Sequence, residues 1–151
     1  MKLSRKNITM KVLSKFIENN LDKIENVETK SNEIIFKTVD GIKKVKIKTS
    51  KNHIEEDSPD VDILWTSFSN KELEEDYSYM VVICSEDIDK AIVFTKEELK
   101  EHYSLEQKKK KNGEIDFNIY PVFIGRRCFD RRHSSDKGQI DITKYVNNYT
   151  F

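Results

Sequence analysis

Residues 33–51 read EIIFKTVDGIKKVKIKTSK. Asp40-Gly41 is a two-residue turn signal between two segments rich in β-branched and alternating residues, the pattern of a β-hairpin. With 40–41 as the loop, Val39 pairs with Ile42, Lys37 with Lys44, Ile35 with Lys46 and Glu33 with Lys48. Side chains alternate along a strand. Ile34, Phe36, Val45 and Ile47 therefore share one face, which is the core face. Glu33, Ile35, Lys37, Lys44, Lys46 and Lys48 share the other.

Outward from the hairpin, residues 9–24 carry Met10, Leu13, Phe16, Ile17, Leu21 and Ile24 at the spacing of an amphipathic helix, with Thr9 as N-cap. Residues 61–65 form a short strand, and residues 70–76 a charged loop or short helix. YSYMVVICS, residues 77–85, is the most apolar run and reads as the central strand, followed by a second strand, AIVFT. Thr95 and Glu98 form a capping box that opens a helix to about residue 106. Residues 114–125 form another strand, and the remainder is loop with a short terminal element. The order predicts an α+β domain with a central mixed or antiparallel sheet flanked by helices. Residues 1–151 suit one domain, with 125–151 open as a basic C-terminal appendage.

The net charge is zero, so global charge excludes nothing; its distribution is uneven. Residues 37–53 hold six Lys and one Asp, whereas residues 55–76 hold nine acids and one Lys. Four of the five Arg fall at Arg126, Arg127, Arg131 and Arg132. Arg offers a planar fork that grips phosphate or carboxylate at two points. No apolar run approaches the ~18 residues that span a bilayer, and two Cys make no disulfide framework. These features predict a soluble, cytoplasmic protein. His53, His102 and His133 have no metal-ligand spacing, and His102 is expected at the surface or boundary. Cys84 reads as core. Cys128 has Arg neighbours that favour thiolate, but no partner pattern for a nucleophile. Trp65 and Phe68 read as core, with stacking on a base as the alternative.

The KIKTS end of the second hairpin strand resembles the PD-(D/E)xK nuclease superfamily, whose third core strand typically ends in ExK followed by Thr-Ser or Thr-Ala. A preceding helix, the DG hairpin and a following Trp segment extend the likeness. DYSYMVVICSEDIDKAIVFTKEEL looks like the strand–turn–strand–helix that follows the motif in small restriction-type and homing endonucleases. The resemblance covers roughly residues 9–105. It implies a restriction-endonuclease-like fold and a Mg²⁺-dependent endonuclease that hydrolyses DNA phosphodiesters as a homodimer or larger homo-oligomer.

Such chemistry needs carboxylates to hold the metal, and a Lys to stabilise developing charge or orient the attacking water. Lys48 matches the Lys. The acid of ExK falls on Lys46, and the earlier Asp has no plain counterpart. Glu33, opposite Lys48 in the register above, is the candidate metal ligand. Asp60 and Asp62, in PDVDILW, are the candidates for a second carboxylate. Lys43, Lys44, Lys46 and the four clustered Arg would hold the nucleic-acid backbone. Two other readings stay open. One is a catalytically inactive nucleic-acid-binding module of the same fold. The other is an inhibitor- or immunity-type protein that docks through the acidic segment 55–76.

Overall fold

The computed structural model describes residues 3–53, 61–104, 108–109, 115–131 and 140–151. The chain is α+β. A five-stranded mixed sheet is built from β1 (Ile24–Lys30), β2 (Glu33–Thr38), β3 (Gly41–Ser50), β6 (Tyr79–Cys84) and β7 (Ala91–Thr95), in that spatial order. Neighbours run antiparallel except β3 and β6, which are parallel. Parallel neighbours need a crossover, and here it contains β4 (Asp62–Ile63), β5 (Thr66–Phe68) and α2 (Asn70–Glu74).

The central pair is buried on both faces. Tyr79, Val81, Ile83, Ala91 and Val93 point to one core, whereas Met80, Val82, Cys84, Ile92 and Phe94 point to the other. The first core is closed by α1 (Arg5–Asn19) through Ile8, Val12, Leu13 and Phe16. Burying each such side chain contributes about 1.5–3 kcal/mol. The C-terminal residues Tyr149 and Phe151 pack on Phe16, their ring centroids 5.1 and 5.4 Å from it. The second core is closed by α2, by α3 (Lys96–Ser104) and by two small sheets. These comprise β8 (Lys108–Lys109), β9 (Ile115–Ile119), β10 (Pro121–Ile124), β11 (Arg127–Asp130) and β12 (Ile140–Asp141) together with β4 and β5. A 3₁₀ turn, Thr143–Tyr145, follows.

Several sequence expectations need correction. α1 begins at Arg5 with Ser4 as its cap, and Thr9 is buried inside it. The Thr9 hydroxyl lies 3.0 Å from the Arg5 carbonyl and 2.9 Å from that of Ser31, so it is satisfied without capping. The buried stripe is accordingly rotated: Met10 and Leu21 are exposed, and Ile24 opens the edge strand β1. The run at 114–125 is two strands in different sheets, divided at Tyr120. The described part of 125–151 is no appendage, because Cys128, Ile142 and Tyr145 are buried in one core and Tyr149 in the other.

The hairpin register differs most. Thr38 pairs with Gly41, leaving Val39-Asp40 as the loop, and Glu33 pairs with Lys46 rather than Lys48. The Thr38 hydroxyl closes the turn, accepting the Asp40 N–H at 3.2 Å and donating to the Gly41 carbonyl at 2.7 Å. Gly41 takes φ +116°, which favours glycine. The shift of two residues keeps every side chain on its face, since the strand period is two. It changes the partners, and β3 now overshoots β2. Ile47 still donates its N–H to the Asn32 carbonyl at 3.0 Å, but beyond it β3 is paired only with β6.

A polar cleft at the end of strand β3

The overshoot leaves the C-terminal end of β3 uncovered on the β2 side, and the start of α1 lies over the gap. A cleft of about 360 Å³ results, lined by Arg5, Thr9, Asn32, Lys48, Thr49 and Glu72. It adjoins a second space of about 440 Å³ around Ser4, Arg5, Thr49 and Ser85. Arg5 and Lys48 supply two cationic side chains against the single carboxylate of Glu72. Ser4 caps the helix by accepting the Asn7 N–H, and no acid occupies the first turn. The positive end of the α1 dipole therefore faces this space. Ser85 is 2% exposed, and among the described residues its hydroxyl has no hydrogen-bond partner. A buried hydroxyl without a partner costs free energy unless a ligand or water completes it.

Lys48 is not solvated freely. Its ammonium donates to the Ser67 carbonyl at 2.9 Å, pairs with Glu72, and lies 5.0 Å from the Phe68 ring centroid. Glu72 also accepts the Ser69 N–H at 3.3 Å, completing a capping box that starts α2. Partial burial alone would raise the Glu72 pKa; the Lys48 ammonium and the Ser69 donors outweigh it and hold the carboxyl below its ordinary value. The next two lysines on this face are paired in the same way, Lys46 with Glu75 and Lys44 with Asp76, the latter at 2.9 Å. The Asp76 carboxylate raises the Lys44 pKa and is itself lowered by that ammonium. Leu73 and Tyr77 anchor the acidic turn in the core. Side chains two apart on a strand thus meet successive acids, so the basic strand and part of the acidic segment neutralise one another. Pairs this exposed contribute little stability; their effect is to cancel field.

The expected metal ligands do not converge. Glu33 lies across from Lys46. Asp62 accepts from the Asn52 side chain at 2.5 Å and faces Lys90 at 3.7 Å. Asp60 lies outside the described residues. Glu72 lines the cleft and, with Glu75, a neighbouring space of about 300 Å³, each carboxylate committed to a lysine. Among the described residues no three His, Cys, Asp or Glu side chains are grouped to hold a metal ion.

Of the expected nucleic-acid contacts, Lys44 and Lys46 are in the ion pairs above, and Lys43 is partly buried opposite Phe36. Arg126 is exposed in the β10–β11 turn, where Gly125 has φ +60°. Arg127 binds Asp141 at 3.0 Å and covers the Phe129 ring at 4.8 Å. Arg131 is exposed, and Arg132 and His133 lie outside the described residues.

Three further residues are placed differently from expectation. His102 is buried, with Nε2 2.6 Å from the Asp130 carboxylate. Cys128 is buried too, and burial, with the charges of Asp130 and Asp141, pushes its thiol up to about 12. Trp65 is 49% exposed, whereas Phe68 is core. Arg5 and Ser85 were not legible as site residues. No motif marks them, and only the packing of α1 against the end of β3 joins them to Lys48.

The chain has no match among protein-family models, curated proteins or solved structures. Among the described residues no helix is long and apolar enough to cross a membrane.

Proposed function

We propose that this protein is a noncatalytic nucleic-acid-binding module that grips backbone phosphates in the cleft between the start of α1 and the end of β3. One observation carries the reading. The buried Ser85 hydroxyl, without a partner among the described residues, adjoins Arg5, Thr49 and the α1 N-terminus, so donors and positive potential converge on one space. Helix N-termini suit phosphate for these reasons. The order of elements is part of what supports the reading. A helix precedes an antiparallel meander, the third strand carries Lys48, and a strand–turn–strand–helix unit follows. Metal-dependent cleavage is left out, because the described carboxylates near Lys48 are committed to lysines. In the described part of the acidic segment, Glu72, Glu74, Glu75 and Asp76 are each paired with a Lys, and residues 54–60 lie outside the described residues.

The test is a salt titration of DNA binding by fluorescence anisotropy, on the unaltered protein and on Ser85→Ala and Arg5→Ala, with Mg²⁺ and plasmid in a parallel incubation. Ser85→Ala removes a hydroxyl that the free protein does not use, so its unfolding midpoint should hold. Its affinity should fall roughly 10- to 150-fold, the value of a hydrogen bond to a charged group. Arg5→Ala should lower the salt slope by about one. Unchanged binding by both variants would refute the site, and turnover of plasmid would refute the noncatalytic reading.

A further inference from the structure

The last two residues of β3 serve two surfaces. Thr49 lines the cleft, while the Ser50 hydroxyl accepts the Trp65 N–H at 3.0 Å and sets Trp65 beside the strand end. Trp65 is the only tryptophan in the chain and is half exposed, although a side chain of that size is highly buried on average. Its indole is nearly parallel to the Tyr120 ring, at 6° with centroids 6.0 Å apart, and its Nε1 donates to the Asn118 side-chain Oδ1 at 3.4 Å. The His53 ring stands 6.0 Å away on another side. Lys51 follows Ser50, and Arg131 donates its N–H to the Tyr120 carbonyl at 3.0 Å; both are exposed. The nearest acid in sequence, Asp62, is engaged by Asn52 and Lys90.

We infer that Trp65, backed by Tyr120 and His53, is a stacking platform for an unpaired base, and that the ligand is single-stranded nucleic acid. The inference rests on the proposed function and deepens it. The cleft takes phosphate, and the platform takes the base of the same strand. A half-exposed, supported indole offers a π-surface to any base, whereas a duplex keeps its base faces stacked internally. Flanking cations match a polyanion and repel a basic partner. Stacking of this kind is tolerant of sequence.

Because Trp65 is the sole tryptophan, its emission reports the contact directly. The full chain is titrated with a short oligothymidylate, with an abasic strand of equal length, and with a duplex, following anisotropy and tryptophan emission together. The base-containing strand should quench Trp65 and bind more tightly than the abasic strand. Trp65→Ala should lose about 5- to 150-fold in affinity for it, the range for one base–aromatic contact, and Trp65→Phe should keep most of it. Abasic binding should be unchanged by either substitution. Equal affinity for the two strands without quenching would overturn the platform and leave phosphate binding standing. Failure of every nucleic acid to bind at low salt would overturn both.

Discussion

Asp130 is fully buried, and its carboxylate joins three parts of the fold. One oxygen lies 2.6 Å from His102 Nε2 on α3, and the other accepts the Tyr120 N–H at 2.8 Å. His102 also lies against Phe94, with ring centroids 5.6 Å apart. Asp130→Ala would take this carboxylate from the buried imidazole and from the part-buried Tyr120 amide. Each orphaned group costs about 1–3 kcal/mol, and breaking one side of a buried pair typically costs about 3–5 kcal/mol. A loss of about 3–5 kcal/mol is a large share of the ~5–15 kcal/mol that holds a domain together. For a chain of this size it should lower Tm by roughly 6–20 °C. Urea denaturation followed by far-UV circular dichroism measures it, with an unchanged m-value expected if two-state unfolding is kept. The double variant His102→Phe/Asp130→Leu should recover part of the loss by removing both partners of the pair, though not all, because the Tyr120 N–H still loses the Asp130 acceptor. A loss under about 1 kcal/mol for Asp130→Ala would refute the reasoning, since no buried network could then depend on this carboxylate.

Two further outcomes follow from the electrostatics. Asp141 is held down to about 2 by the Thr143 hydroxyl and N–H, then by Arg127. A carboxyl lower in the folded state stabilises above its unfolded value near 3.8, and that contribution is lost as pH falls towards 2. Asp141→Asn should therefore flatten the acid limb of the stability curve within that window, measured as Tm against pH; an unaltered limb would contradict the assignment. Both cysteines are buried with raised thiol pKa values, burial being the largest cause for each. Neither should react with a maleimide at neutral pH in the native protein, and both should react in denaturant; rapid native labelling of Cys128 would show that its environment is not the one described.

Much of the fold was legible because local chemistry and tertiary packing agree. The run at 79–84 is apolar at every position since β6 is covered on both faces. The Thr95–Glu98 box begins α3, with the Thr95 N–H on the Glu98 carboxylate at 2.9 Å and the Glu98 N–H on the Thr95 hydroxyl at 3.1 Å. The edge strand β1 was missed because IENVETK is largely exposed and carries no apolar alternation. Its pairing with β2 comes from backbone hydrogen bonds, which any sequence can offer. His102 was misplaced for a related reason: a polar side chain enters a core only when a partner distant in sequence satisfies it, and that partner, Asp130, has no local signature.

By itself the sequence determined which residues alternate, which run is central, that the Thr95–Glu98 box opens a helix, and that Lys44, Lys46 and Lys48 share one strand face. Those properties depend on periodicity and short-range hydrogen bonding, which span only a few residues. Tertiary structure alone decided what meets that face. A two-residue change of register preserves every side-chain direction, so the sequence could not distinguish Glu33 beside Lys48 from Glu33 beside Lys46. Nor could it bring α2 acids onto the lysines, or Arg5 and Ser85 to the end of β3. Charge and hydrogen-bond chemistry depend on ångström-scale proximity across the crossover, and only the folded chain sets those distances.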